Sequence, residues 1–165
     1  MTTTQLRRVA WNEFLRPLRA DEGPVTPERQ AMFDKGKARH AVIERMIGEA
    51  HLVEQEQVYR DPQLPFEIAY HPDILRQETS LDGSIITYIY EIKPLIWFLK
   101  NRVYCEAQAS GYAHFTGAVD TTMVLYHFIV PGDETLMSLS ALPLRRIPWA
   151  DLLPTVKHAW ALMNP

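Results

Sequence analysis

Ser84-Ile85-Ile86-Thr87-Tyr88-Ile89-Tyr90-Glu91-Ile92-Lys93-Pro94 decides how this chain is read. β-Branched and aromatic residues fit a pleated surface, and nothing inside the run breaks a ladder, so it predicts a buried strand. Pro94 has no N–H to donate and closes it. Side chains alternate across a strand, which puts Glu91 and Lys93 on one face, roughly 7 Å apart along the chain. Charges are seldom placed in so apolar a run unless they are paired, metal-bound or catalytic. The plainer alternative is a strand end reaching solvent with a surface ion pair worth under about 1 kcal/mol.

Working outward, residues 66–76 (Phe-Glu-Ile-Ala-Tyr-His-Pro-Asp-Ile-Leu-Arg) form a second extended candidate. Ser80-Leu81-Asp82-Gly83 lies between the two, and Asp-Gly is a strong hairpin signal. An antiparallel fold-back there brings Asp73 to within about one residue of Glu91, where facing carboxylates repel unless something positive joins them. A divalent cation turns that repulsion into coordination, because hard cations take carboxylate oxygens.

Further motifs lie on either side. Upstream are Gly36-Lys37-Ala38-Arg39-His40 and Glu44; downstream is Gln108-Ala109-Ser110-Gly111-Tyr112. A glycine-x3-histidine helix, an aspartate strand, a Glu-x-Lys strand and a Gln-x3-Tyr helix, in that order, resemble the PD-(D/E)XK nuclease superfamily. Within it they are similar to the RecB-type, lambda-exonuclease-like branch. The resemblance spans about residues 33–115. It implies an α/β, restriction-endonuclease-like core, a central mixed β-sheet flanked by helices, and one nuclease domain over residues 1–165. It also implies a site in which Asp73, Glu91 and Lys93 are catalytic, while Asp73, Glu91, His40 and the Ile92 carbonyl hold Mg²⁺ or Mn²⁺. Imidazole suits Mn²⁺ better than Mg²⁺. Gln108 and Tyr112 are then candidates to hold the scissile phosphate or orient Lys93.

The resemblance implies a metal-dependent DNA exonuclease for recombination, repair or phage DNA processing. An endonuclease (restriction, junction-resolving or RNA-directed) and a non-catalytic nucleic-acid-binding or assembly subunit stay open beside it. DNA is the expected partner, with room for a helicase, a recombinase or further copies of the chain, and no membrane. No Walker phosphate loop appears, so any motor belongs to a separate protein.

Composition frames these readings. With 165 residues, 47% hydrophobic and 22% charged, the chain fits one domain around one core. A net charge of −3 argues against coating nucleic acid by charge alone. Basic residues outnumber acidic ones in residues 1–50, and the reverse holds in residues 51–100. Lys37 and Arg39, beside His40 with Lys35 and Arg45, are the best phosphate contacts; a solvated helix face is the plainer alternative. A single cysteine, Cys105, excludes an internal disulfide or a four-cysteine iron–sulfur cluster. With no apolar leader or membrane-length run, a cytoplasmic setting is expected.

The remaining pattern predicts a helix over 6–20 broken near Pro17, a loop over 20–24, and a helix from Thr26-Pro27 to about Ala50. A strand over 51–60 follows. Beyond Pro94 it predicts a helix over 101–115, a strand over 121–130, a turn at Pro131-Gly132-Asp133, a strand over 134–142 and a closing helix over 151–163.

Overall fold

The computed structural model describes residues 6–20, 23–47, 52–53, 56–130 and 133–164. In chain order the elements are β1 (Arg7–Ala10), α1 (Trp11–Leu15) with a 3₁₀ turn (Arg16–Leu18), α2 (Pro27–Ile47), β2 (Leu52–Val53) and β3 (Gln57–Arg60). Then come β4 (Phe66–Tyr70), β5 (Ile74–Thr79), β6 (Ile85–Pro94), α3 (Leu95–Lys100), α4 (Arg102–Thr116), β7 (Asp120–Val130), β8 (Asp133–Pro143) and α5 (Trp149–Met163).

The apolar run at 84–94 becomes β6, the middle strand of a sheet ordered β2-β5-β6-β7-β8. β5 pairs with it antiparallel, from Ile74 opposite Tyr90 to Thr79 opposite Ile85. The expected turn joins them: Gly83 adopts φ +83°, and its N–H donates to Ser80 O at 2.9 Å. Asp82 Oδ1 also accepts the Ser84 N–H at 3.0 Å. On its other side β6 pairs parallel with β7, Glu91 opposite Met123. Parallel neighbours need a crossover, and α3 with α4 supplies it.

Residues 66–76 are not one strand. β4 belongs to a three-stranded sheet ordered β1-β4-β3, and β5 to the larger one. His71-Pro72-Asp73 divides them, since Pro72 cannot donate to a ladder. The same change of sheet splits the strand expected over 51–60. Val53 pairs with Ile74 of β5, while Gln57–Arg60 pair with β4; residues 51, 54 and 55 lie outside the described residues.

The N-terminal reading also needs correction. Arg7–Ala10 is a strand running parallel to β4, with Val9 opposite Ile68. β4 is buried at all five positions and needs partners on both edges; local helical spacing loses to that demand. Helix starts only at Trp11, whose buried companions Phe14 and Leu15 share its face. Pro17 sits early in the 3₁₀ turn, where a missing N–H costs little. Residues 21–22, 48–50 and 131–132 also lie outside the described residues, and with them parts of the expected loop, helix end and turn.

The principal core joins α1, α4, α5 and one face of the strands through Phe14, Phe66, Ile89, Tyr112, Met123 and Val156. A smaller cluster of Ile43, Ile74, Ile92, Val124 and Tyr126 seats α2. Gly111 explains how closely α1 approaches α4: a Cβ there would lie 2.7 Å from Trp11 Nε1, closer than real Cβ contacts come. No helix among the described residues is long and apolar enough to cross a membrane.

Candidate active site

Asp73 stands one residue before β5, so continuing the ladder sets it opposite Glu91. The two backbones and side chains interlock there. Asp73 N–H donates to Glu91 Oε1 at 3.2 Å, and Ile92 N–H donates to Asp73 Oδ2 at 2.7 Å. Lys93, two residues beyond Glu91 on the same face, places its Nζ 2.9 Å from Glu91 Oε2 and 3.2 Å from Asp73 Oδ2. The expected meeting of two carboxylates and one ammonium is present.

α2 completes the cluster. His40 Nε2 lies 3.0 Å from Asp73 Oδ2, and its Nδ1 lies 3.1 Å from Glu44 Oε1. Thr26 caps the start of this helix, accepting Arg29 N–H at 3.3 Å. One helical turn separates His40 from Glu44, which is why both reach the same place.

Burial sets the electrostatics. Glu91 is 0% exposed; desolvation and the neighbouring Asp73 charge push its carboxyl up to about 7, although Lys93 works against them. Burial acts to raise Asp73 as well, yet the Lys93 ammonium, His40 and the Ile92 N–H together hold it well below the usual carboxylate range. For Lys93, desolvation alone would favour loss of the proton; the Asp73 and Glu91 charges overcome it and keep the ammonium. His40 follows the same logic, with burial outweighed by its hydrogen bond and charge contact with Asp73.

Gln108 and Tyr112 lie on α4 beside this cluster and are buried. Gln108 Nε2 donates to Tyr112 Oη at 3.2 Å and to Asn12 Oδ1 at 3.0 Å. Gln108 Oε1 is buried and meets no donor among the described residues. Tyr112 is desolvated, faces the Glu91 charge, and so holds its phenolic proton well beyond the ordinary range. Lys37 is exposed on α2 and Arg39 half-buried; neither joins the cluster of ion pairs around Asp73. Arg39 instead lies near Tyr126, whose phenol feels its charge.

Two participants, Glu44 and Asn12, carry no role in the sequence reading of the site, although Glu44 is part of its upstream motif. Glu44 had a signal, its i+4 spacing from His40. Asn12 had none, because only the tertiary approach of α1 to α4 brings it to Gln108.

As a donor set, two carboxylates and an imidazole fit a divalent cation of hard to borderline character. Among the described residues, however, no three His, Cys, Asp or Glu side chains are arranged as a metal cluster. The carboxylates close instead on the Lys93 ammonium and the His40 ring. Ile92 meets Asp73 through its N–H.

No family model matches the chain, and no curated protein matches its sequence. Solved structures do resemble it. An alkaline exonuclease from Laribacter hongkongensis superposes with a TM-score of 0.53 at 15% identity, over 97% of this chain and 89% of that one. The crystal structure of SSO0001 gives 0.60 at 11% identity, over 98% and 79%. At such identities the likeness is one of fold: an α/β, restriction-endonuclease-like core with mixed sheet flanked by helices.

Proposed function

We propose that the chain is a single nuclease domain that hydrolyses phosphodiester bonds of DNA with a divalent metal ion, acting as an exonuclease. The observation that carries this reading is the convergence of Asp73, Glu91, Lys93 and His40 within 2.9–3.2 Å contacts at one end of a hydrophobic hairpin. Its fold likeness to an alkaline exonuclease supports the same class.

Asp73, Glu91 and His40, with the Ile92 carbonyl, are the residues proposed to hold Mg²⁺ or Mn²⁺. A bound ion of this kind polarises a phosphate oxygen and lowers the pKa of its water. Lys93 keeps its proton between two carboxylates and so serves as a hydrogen-bond donor to the attacking water and to charge developing on phosphate. Glu44 holds His40 by its Nδ1 and leaves Nε2 directed at the site. On the α4 side Tyr112 presents a phenolic donor that fits a phosphate oxygen, and Gln108 an amide oxygen that fits a water O–H. One acid–base group supplies only about 10²–10⁴-fold, so the lysine alone is insufficient and the cation must contribute most.

The test is digestion of linear and covalently closed circular DNA with Mn²⁺, with and without chelator. The expected result is loss of linear DNA only, abolished by chelator, by Asp73→Asn and by Glu91→Gln. A cut circle replaces the exonuclease with an endonuclease. Cleavage that persists unchanged in both variants, or no cleavage of any substrate, overturns the assignment.

A further inference from the structure

Consecutive residues of α1 grip Gln108 by its backbone and by its side chain. Trp11 Nε1–H donates to Gln108 O at 3.2 Å in a buried contact. Asn12 offers Oδ1 to the Gln108 side chain, 3.0 Å from Nε2. The N-cap of α1 is Ala10, so Asn12 sits inside the helix. Asparagine is a poor choice there, because its amide prefers bonds to nearby backbone. Here Oδ1 reaches instead to a side chain 96 positions away. Asn12 itself is exposed, so little burial is at stake in its side chain.

The consequence lies in how the Gln108 amide is spent. Its nitrogen carries a pair of donors and its oxygen is an acceptor. One hydrogen goes to Asn12 Oδ1, and the other goes to Tyr112 Oη at 3.2 Å. Tyr112 follows Gln108 by one helical turn on the same face of α4. It is 1% exposed and lies within reach of the Glu91, Lys93 and Asp73 charges. Because its oxygen accepts from Gln108, the Tyr112 O–H points away from that amide. Gln108 Oε1 stays buried, meeting no donor among the described residues. Without the Asn12 acceptor, one amide hydrogen loses its partner, which is costly in a buried group. Turning the amide over then sets Oε1 against Tyr112, where it accepts the phenolic O–H.

We infer that Asn12 is a positioning residue: by holding one hydrogen of the Gln108 amide it keeps the other on Tyr112 Oη, and so reserves the Tyr112 O–H for a substrate phosphate. The phosphate rests on the nuclease reading; the orientation of the amide rests on the hydrogen bonds alone. Asn12 acts only through Gln108 and Tyr112.

The test is steady-state cleavage of linear DNA with Mn²⁺ by the full chain. Asn12→Leu removes the acceptor at similar size and should lower kcat about 10–100-fold with KM nearly unchanged. Tyr112→Phe should lose at least as much. The double variant should be no slower than Tyr112→Phe alone, since both changes remove the same donor. Asn12→Asp keeps an oxygen in place and should restore most of kcat. Losses that multiply, an Asn12→Asp protein as slow as Asn12→Leu, or full activity in Asn12→Leu overturns the inference. Hydrogen exchange of the Gln108 side-chain amide reads the arrangement apart from cleavage, by NMR of the metal-free chain, with Gln108→Glu identifying the signals. Slow exchange that becomes fast in Asn12→Leu is expected; equal exchange in both proteins overturns the inference. A wild type that cuts no DNA while its amide behaves as expected overturns the nuclease reading and the phosphate role, and supports the hold of Asn12 on Gln108.

Discussion

Gly111→Ala should destabilise this protein, although glycine to alanine inside a helix ordinarily stabilises by about 1 kcal/mol. The reason lies in the contact between α1 and α4. A Cβ at 111 would sit 2.7 Å from Trp11 Nε1. Trp11 is 1% exposed and ringed by Phe14, Phe115 and Trp149, so its indole has nowhere to retreat. Overpacking of this kind costs about 1–3 kcal/mol. Moving the indole also strains its N–H bond to Gln108 O, 3.2 Å long and buried. An unsatisfied buried donor adds about 1–3 kcal/mol. Setting the helix gain against both leaves a net loss of about 1–5 kcal/mol. At the middle of that range, Tm falls by roughly 6–12 °C for a chain of this size. Urea and thermal unfolding followed by far-UV circular dichroism measure it. A Gly111→Ala protein as stable as the wild type would refute the packing argument, and with it the placement of Gln108 against the site.

Three further predictions concern the site itself. Lys93→Met should abolish cleavage and, in chelator, cost about 3–5 kcal/mol of stability, since it strips the ammonium from a buried ion cluster. Urea unfolding with and without Mn²⁺ checks this, and unchanged stability in chelator counts against the buried pairing. Glu91, raised to about 7 by burial and by Asp73, retains its proton longer folded than unfolded. Its contribution to metal-free stability should therefore fall as pH rises from its ordinary value to about 7. Glu91→Gln should flatten that decline in unfolding curves taken across the range; an identical slope in the variant refutes the assignment. Asp73 has the opposite sign: its stabilisation is present above its unfolded pKa and is lost as pH falls towards its depressed folded value. Glu44→Gln should weaken Mn²⁺ binding by about 10–100-fold in calorimetry, because the imidazole loses the carboxylate that orients it. Unaltered affinity would remove Glu44 from that role.

Much of this molecule was legible from local pattern. The strand at 84–94, its Asp-Gly turn, the helix bearing Gln108 and Tyr112, the β7–β8 hairpin and the closing helix all appear where spacing placed them. These elements carry strong periodicity or a decisive turn residue. Arg7–Ala10 was misread because four residues hold no period of their own, and their strand state is imposed by the open edge of β4. The strands read at 51–60 and 66–76 were each divided because one extended stretch can serve two sheets. Proline at 72 was a visible sign of the second break, but not of where the chain goes next. Within the site, Asp73, Glu91 and Lys93 meet because hairpin register is a local property. Asn12 reaches Gln108 only after α1 has packed on α4, and no local pattern encodes that.

The proposed function stands on Asp73, Glu91 and His40 binding a divalent cation beside Lys93. Crystals soaked in Mn²⁺ and measured for anomalous scattering test it most directly. The account predicts a peak among those three side chains, with Lys93 moved off Asp73 Oδ2. An empty map there, with the Lys93 and His40 ion pairs intact in the presence of Mn²⁺, would contradict it.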